Sequence, residues 1–291
     1  MPGLIGRRDL ARAASGLLLA RAAPAMAQPA VAQPAWATLP PTPVLPTAKS
    51  SGRLKIADAE LFHAAFGDGE PVLFLHGGMA NANYWGHQVL ALARHHRVLV
   101  LDSRGHGRST LGTRPIGYRQ MADDVLGVLD ALKVARAAIV GWSDGAIVGL
   151  DIAMRRPERL SRLFAFGANF NLGGLRPQGP QTPLFVQYAE RCRHEYAALS
   201  PAPASWPKLL GELRRMWSSS PTWTSRQLAR IRVPTTVAAA GHDEIIRRAH
   251  TTALAAAIPG ARLADMPDVS HFAMLQDPER FNAELAAFLR S

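Results

Sequence analysis

The pentapeptide Gly141-Trp142-Ser143-Asp144-Gly145 places the tightest restriction on how this chain folds. It follows the apolar, β-rich run 136–140 and precedes a helical pattern that begins at Ala146. Ser143 is therefore predicted on a turn that joins a strand to a helix, and the small residues at positions 141 and 145 allow that turn to be tight. A helix that begins there also brings backbone N–H groups and the positive end of its dipole close to Ser143.

The same alternation of short apolar runs and helical patterns continues from Arg53 to the end of the chain, which predicts an α/β fold. We expect a mostly parallel eight-stranded sheet with helices on both faces. A first hairpin spans 54–66, and the other strands are predicted at 71–75, 97–101, 136–140, 160–166, 235–239 and 261–266. Helices are predicted at 118–132, 146–155 and 247–257.

One stretch, about 167–230, interrupts this alternation with prolines, Gly173-Gly174 and two helical patterns at 183–199 and 206–217. An insertion of that length between two strands is rarely a plain loop. We interpret it as a small helical cap that shapes a pocket, the alternative being a surface excursion without a role in binding.

Ser143 is a candidate nucleophile, and a serine hydroxyl needs a general base and an orienting acid. His271, just past the last predicted strand, is the candidate base. Asp243, after the strand 235–239, is the candidate acid because open α/β sheets build their sites at the carboxyl ends of strands. Glu244 is the competing acid, although its adjacent position favours a side chain that points away.

A tetrahedral intermediate requires two N–H donors directed at its oxygen. The backbone amide of Asp144, directly after the candidate nucleophile, is one candidate. The second comes from the loop after strand 71–75, which reads His76-Gly77-Gly78-Met79. Gly78 is preferred, with Met79 as the alternative, because glycine lets the backbone approach a substrate closely.

Together these motifs resemble the α/β-hydrolase family, in particular its serine esterases and proline iminopeptidases. The resemblance covers the chain from about Arg53 and rests on motifs in the family's order: His76-Gly77-Gly78, Asp102-Ser103-Arg104-Gly105-His106-Gly107-Arg108-Ser109, the serine turn, Asp243, and Ser270-His271-Phe272. It implies that the Asp102 segment is a structural turn, with neither Asp102 nor His106 catalytic. The sequence departs from the frequent Gly-x-x-Asp pattern before the acid, since Ala240 stands where relatives often carry glycine.

The resulting expectation is a serine hydrolase that transfers an acyl group to water through Ser143, His271 and Asp243. Met79 and Trp142 are the candidate substrate-binding residues, and an apolar pocket favours a carboxylic ester or lactone. The Asp144 side chain beside the serine can repel acidic substrates or bind an amine. An aminopeptidase, a perhydrolase, a carbon–carbon bond hydrolase and a non-catalytic ligand-binding homologue remain open.

The amino-terminal residues predict export. Residues 1–27 combine Arg7-Arg8, a short apolar stretch and a small-residue cleavage site at Ala25-Met26-Ala27, which is typical of a twin-arginine signal. An ordinary amphipathic helix is the alternative. Residues 28–52 are rich in proline and alanine and predict an extended linker without a packed core, so the folded domain 53–291 is expected to begin near Arg53.

Composition excludes several partner classes. The net charge of +11 comes from scattered arginines without a run of like charge, which disfavours a nucleic-acid partner. No glycine-rich dinucleotide fingerprint or paired histidine spacing is present, so neither a cofactor nor a metal is expected. Cys192 is the single cysteine and excludes an intramolecular disulfide. The expected partner is a small-molecule substrate, in the periplasm or outside the cell, without membrane anchoring after signal removal; the oligomeric state is left undetermined.

Overall fold

A computed structural model describes residues 33–290 of the chain and contains one eight-stranded sheet. The strand order is β1-β2-β4-β3-β5-β6-β7-β8. β1 and β2 form an antiparallel hairpin, β2 pairs antiparallel with β4, and all other neighbours are parallel. The strands are β1 Ser50–Ile56, β2 Ala59–Phe66, β3 Pro71–Leu75, β4 Arg97–Leu101, β5 Ala137–Trp142, β6 Leu160–Phe166, β7 Thr235–Ala240 and β8 Arg262–Met266.

Nine α-helices accompany these strands within the described residues. They are α1 Gly86–Leu92, α2 Tyr118–Ala131, α3 Asp144–Arg155, α4 Pro183–Leu199, α5 Trp206–Ser219, α6 Ser225–Leu228, α7 Arg248–Ala257, α8 Ala273–Gln276 and α9 Pro278–Arg290. The mostly parallel α/β fold predicted from the sequence is confirmed.

The helices cover both faces of the sheet, as two neighbouring residues of β6 show. Leu163 packs against Gly149 of α3, so closely that a side-chain carbon on that glycine would lie 2.6 Å from it. The next residue, Phe164, contacts Phe281 and Phe288 of α9 with ring centroids 5.7 and 5.5 Å apart. Successive side chains of a strand point to opposite faces, so α3 and α9 lie on opposite sides of the sheet.

The region between β6 and β7 forms helices α4, α5 and α6, with α4 and α5 close to the spans predicted from sequence. Tyr188 of α4 and Trp217 of α5 reach the carboxyl end of the sheet beside Ser143, where they line one cavity with it. The insertion therefore supplies pocket walls in addition to surface.

The segment before the sheet differs from the predicted linker over 28–52. β1 already begins at Ser50, which pairs with Ala65. Upstream of it, residues 36–45, here called the strap, lie along the domain, with Leu39 buried and with its main-chain oxygen accepting a hydrogen bond from Arg191. The prediction of a linker that does not pack on the domain is wrong over these residues. A proline-rich composition favours extended backbone, but it does not show whether distant side chains donate hydrogen bonds to the carbonyls of that backbone.

The predicted export signal at 1–27 lies outside the described residues. Within residues 33–290, no helix combines the length and apolar character needed to cross a membrane.

A buried ion pair joins the loop after β4 to helix α2. The Arg104 guanidinium, which is fully buried, donates from Nε and Nη2 to the two Asp124 carboxylate oxygens at 2.6 and 2.7 Å. A third donor, Nη1, reaches Asp58 at 3.2 Å. Removing one member of such a pair leaves the other charge buried without a counter-charge, which is far more costly than the pair itself is favourable.

We therefore expect Arg104→Met to lower the free energy of unfolding by about 3–5 kcal/mol, measured by urea denaturation. Arg248→Met is the control, because it removes an ion pair with Asp265 in which both side chains are more than 40% exposed and should cost about 0–1 kcal/mol. Equal losses in the two variants would contradict the role given to burial.

Candidate active site

Ser143 lies on a strained turn between β5 and α3. Its backbone has φ 54° and ψ −119°, a combination that non-glycine residues rarely adopt. The Ser143 N–H donates to the Phe166 carbonyl at 2.8 Å, which fixes the turn to the end of β6. Gly145 lies so close to β3 that a side-chain carbon there would be 2.2 Å from the Leu75 carbonyl oxygen. The turn therefore holds a partly exposed serine at the carboxyl edge of the sheet.

Asp243 and His271 meet at the same edge, although 28 residues separate them in sequence. The His271 Nδ1 atom lies 3.1 and 3.0 Å from the two carboxylate oxygens of Asp243. The carboxylate is itself held, because its Oδ1 atom accepts the N–H groups of Ile245 and Ile246 at 2.9 and 2.7 Å. A fixed carboxylate at Nδ1 favours the tautomer that carries its proton there and leaves Nε2 as a proton acceptor.

Burial and charge act in opposite directions on His271. Burial by itself lowers the pKa of the imidazole, but the Asp243 charge and hydrogen bond, helped by Glu244, outweigh it and raise the pKa above its ordinary value. The His271 ring is therefore a stronger base than an exposed histidine.

Glu244, the competing acid, contacts His271 in another way. Its Oε2 atom accepts a hydrogen bond from the backbone N–H of His271 at 3.2 Å, while Asp243 contacts the imidazole ring of His271. The adjacent position of Glu244 predicted a side chain that points away from the site, and this prediction is wrong. It anchors the main chain of the histidine.

Ser143 and His271 line the same cavity. Among the described residues they form no direct hydrogen bond. Hydrogen bonds between such groups are often long in the absence of substrate and shorten when it binds.

The loop after β3 approaches Ser143 from the other side. The Gly77 carbonyl accepts the His76 Nδ1–H at 2.7 Å and the Ala80 N–H at 3.2 Å. His76 is held as this tautomer because its Nε2 accepts the Ser103 N–H at 3.0 Å, and burial lowers its pKa to about 4, so the ring is neutral. Since N–H and C=O of a trans peptide point in opposite directions, the Gly78 N–H is directed away from His76.

The carbonyl of the next peptide has a different partner. The Gly78 carbonyl accepts a hydrogen bond from the hydroxyl of Tyr188, a cavity-lining residue, so the Met79 N–H of that peptide points away from Tyr188. A side chain at position 78 would lie 2.4 Å from Trp217 and 2.5 Å from the Asp144 carboxylate. Only glycine fits at this point of the loop.

The side chain of Asp144 is buried next to the candidate nucleophile. Its carboxylate accepts hydrogen bonds from the Tyr118 hydroxyl at 2.8 Å and from the Trp217 Nε1–H at 2.9 Å. Burial raises its pKa, which the hydrogen bonds from Trp217 and Tyr118 only partly offset. Among the described residues no basic side chain donates to this carboxylate.

The cavity has a volume of about 880 Å³, within the usual range for small-molecule sites. Met79 and Trp142, the candidate substrate-binding residues, line it together with Trp206 and Trp217. Sequence analysis missed Tyr118, Phe185 and Tyr188 as cavity residues, because nothing in the helical patterns that contain them shows which helix face meets Ser143.

The Asp102 segment lies apart from this cavity. Asp102 accepts the N–H groups of Ala82 and Arg108 at 2.6 and 2.8 Å, which ties the loop after β4 to the loop after β3. In residues 33–290 there is also no cluster of three or more histidine, cysteine or acidic side chains able to hold a metal ion.

Comparison with known proteins gives the family. The model of the alpha/beta hydrolase family matches residues 72–284. RutD of Azorhizobium caulinodans, a protein named for carbamate hydrolysis, is 31% identical over 252 residues, which are 79% of this chain and 95% of RutD.

Two solved structures agree with this family assignment. A hydrolase from Pseudomonas aeruginosa PA01 superposes with a TM-score of 0.69 at 28% identity, covering 84% of this chain and all of that one. Est816, described as an N-acyl homoserine lactone degrading enzyme, gives a TM-score of 0.65 at 29% identity over 81% of this chain and all of its own. The chain therefore belongs to the alpha/beta hydrolase family, and its role is hydrolytic.

Proposed function

We propose that this protein is a serine hydrolase that uses Ser143 as nucleophile, His271 as general base and Asp243 as the orienting acid, and that it acts on a carboxylic ester or lactone. The observation that carries the proposal is the contact of His271 Nδ1 with both Asp243 oxygens, in the cavity that also exposes Ser143. The geometry leaves the imidazole Nε2 available for the serine proton.

In this mechanism the Ser143 hydroxyl attacks the substrate carbonyl while His271 takes its proton. Asp243 keeps the imidazole in the correct tautomer and stabilises the imidazolium that forms. His271 then protonates the leaving group, and a water molecule, deprotonated by the same ring, hydrolyses the acyl-enzyme.

The developing oxyanion requires two N–H donors, for which we propose Asp144 and Gly78. The Asp144 N–H is the first of helix α3, where helix N–H groups have no intrahelical acceptor. Two carbonyl contacts support Gly78 over Met79. His76 and Ala80 donate hydrogen bonds to the Gly77 carbonyl, so the Gly78 N–H of the same peptide points away from them. Tyr188, which lines the cavity, donates to the Gly78 carbonyl, so the Met79 N–H points away from Tyr188.

The walls of the cavity support an acyl group of modest size. Met79, Trp142 and Phe185 present apolar surface beside Ser143. The relatives act on carbonyl compounds by their names, a carbamate for RutD and an acyl lactone for Est816. An ester or lactone is consistent with both the chemistry and the apolar lining.

We expect a fluorophosphonate probe to label the protein and Ser143→Ala to abolish labelling, because the phosphorus atom is captured by the activated hydroxyl. Ser218→Ala, at an exposed position of α5, is the matched control and should label like the wild type. Equal labelling of the two variants, or absence of labelling in the wild type, would refute the enzyme mechanism and favour a ligand-binding homologue.

The raised pKa of His271 predicts where activity is lost in acid. The base must be neutral, so kcat/KM for p-nitrophenyl butyrate should fall as pH drops through a midpoint above about 6.5, the ordinary value for histidine. Asp243→Asn should move the midpoint to lower pH and reduce kcat by about 10⁴-fold, as expected when the tautomer is lost.

Glu244→Gln is the control for that prediction. It keeps an oxygen that can accept the His271 backbone N–H, so its activity should remain within about tenfold of the wild type. A loss as large as that of Asp243→Asn would make Glu244 the catalytic acid instead.

The Asp144 carboxylate favours a second candidate function within the same chemistry, the hydrolysis of aminoacyl esters or amides. Its two side-chain donors, Tyr118 and Trp217, are neutral, so the buried carboxylate has no counter-charge among them. A substrate ammonium group next to the carbonyl would supply that charge and form a charge-assisted hydrogen bond.

A matched pair of substrates tests this second function, because alanine benzyl ester and benzyl propionate differ only in the amine. If the amine binds Asp144, the wild type should prefer the alanine ester, and Asp144→Asn should reduce that preference by about 10- to 100-fold, the value of a hydrogen bond to a charged group. A wild type that hydrolyses both esters equally well would exclude amine recognition and leave the plain ester or lactone.

A further inference from the structure

One face of cap helix α4 contacts both the strap, residues 36–45, and the loop that carries Gly78. Residues 188, 191 and 195 follow one another at intervals of three and four, so they share a face of the helix. Tyr188 donates to the Gly78 carbonyl, and Arg191 donates to the carbonyls of Leu39 and Pro40. This face of the helix therefore contacts the strap and the loop at the same time.

Glu195 connects the two directly. Its Oε1 atom accepts the hydroxyl of Thr42 in the strap at 2.5 Å, and its Oε2 atom accepts the side-chain N–H of Asn81 at 2.8 Å. Asn81 is buried and three residues after Gly78, and its own Oδ1 accepts the Asn83 N–H at 3.0 Å. A single carboxylate therefore bridges the strap to the backbone of the loop.

The strap is held at its other end as well. Gln276 of α8 donates to the Thr38 carbonyl at 2.8 Å, and the Trp36 ring stacks on His242 with centroids 4.2 Å apart. His242 directly precedes Asp243. The strap thus spans from the loop of the proposed acid to the loop of the proposed oxyanion donor.

We propose that Glu195 is a positioning residue that, together with the strap, fixes the loop 77–83 so that the Gly78 N–H stays aligned for the oxyanion. The inference rests on the proposed function for the role of Gly78. Oxyanion donors act through alignment established before the reaction, and small displacements of such groups carry large penalties in rate. The strap then serves the chemistry without touching the substrate.

Three full-length variants test the proposal. Glu195→Ala removes both acceptors, Glu195→Gln keeps the shape and one acceptor oxygen, and Thr42→Val removes only the hydroxyl of the strap. We expect Glu195→Ala to lower kcat for p-nitrophenyl butyrate by about 10- to 100-fold with a much smaller change in KM, since the apolar cavity walls remain. Glu195→Gln should restore part of that loss, and Thr42→Val should cost several-fold.

His194→Gln is the control, because His194 lies on the same helix at an exposed position and pairs with Glu190, which is also exposed. It should leave kcat, KM and Tm unchanged. All kcat values are expressed per active site, counted by fluorophosphonate labelling, so that partial unfolding does not count as a loss of rate.

Amide hydrogen exchange measures the coupling independently of turnover. Peptides that cover 77–83 should exchange faster in Glu195→Ala and Thr42→Val than in the wild type, and not in His194→Gln. Unchanged exchange in this loop would show that Glu195 and the strap do not fix the loop 77–83. That result would hold even if the wild type proved not to be a hydrolase. Faster exchange with unchanged kcat per active site would overturn the positioning role, and a lower Tm with both quantities unchanged would make Glu195 merely structural.

Discussion

The close approach of helix α3 to strands β3 and β5 is the constraint on which the rest of this structure depends. A side-chain carbon at Gly145 would lie 2.2 Å from the Leu75 carbonyl oxygen, so the helix can begin where it does only with glycine at that position. The same packing forces Ser143 into a backbone conformation with positive φ. The strain is offset by the core that surrounds it, since α3 is buried along most of its length.

That constraint also brings backbone peptide groups close to Ser143. The turn leaves the first N–H groups of α3 without intrahelical acceptors beside Ser143, and the loop after β3 also lies close to Ser143. His76 and Tyr188 donate hydrogen bonds to successive carbonyls of this loop. Neutral, buried partners thus fix the direction of backbone dipoles, which is what stabilisation of an oxyanion requires.

Two buried carboxylates in the site have different surroundings. Asp243 is held by two backbone N–H groups and contacts His271, and its charge raises the pKa of that ring. Asp144 accepts hydrogen bonds from the neutral side chains of Tyr118 and Trp217, and burial raises its own pKa. In the proposed mechanism the first arrangement orients the base, and in the second proposed function the other carboxylate binds a substrate amine.

The sequence by itself determined the order of strands and helices, because hydrophobic periodicity and turn residues act locally: β3, β4, β6 and α4 begin and end at the predicted residues. It also singled out Ser143, Asp243, His271 and Gly78, whose neighbours in sequence carry recognisable motifs. Only the tertiary structure decided which carboxylate meets the His271 ring, which faces of α4 and α5 line the cavity, and that residues 36–45 pack on the domain. Those outcomes depend on contacts between residues far apart in the chain, such as Thr42 with Glu195, and no local pattern encodes them.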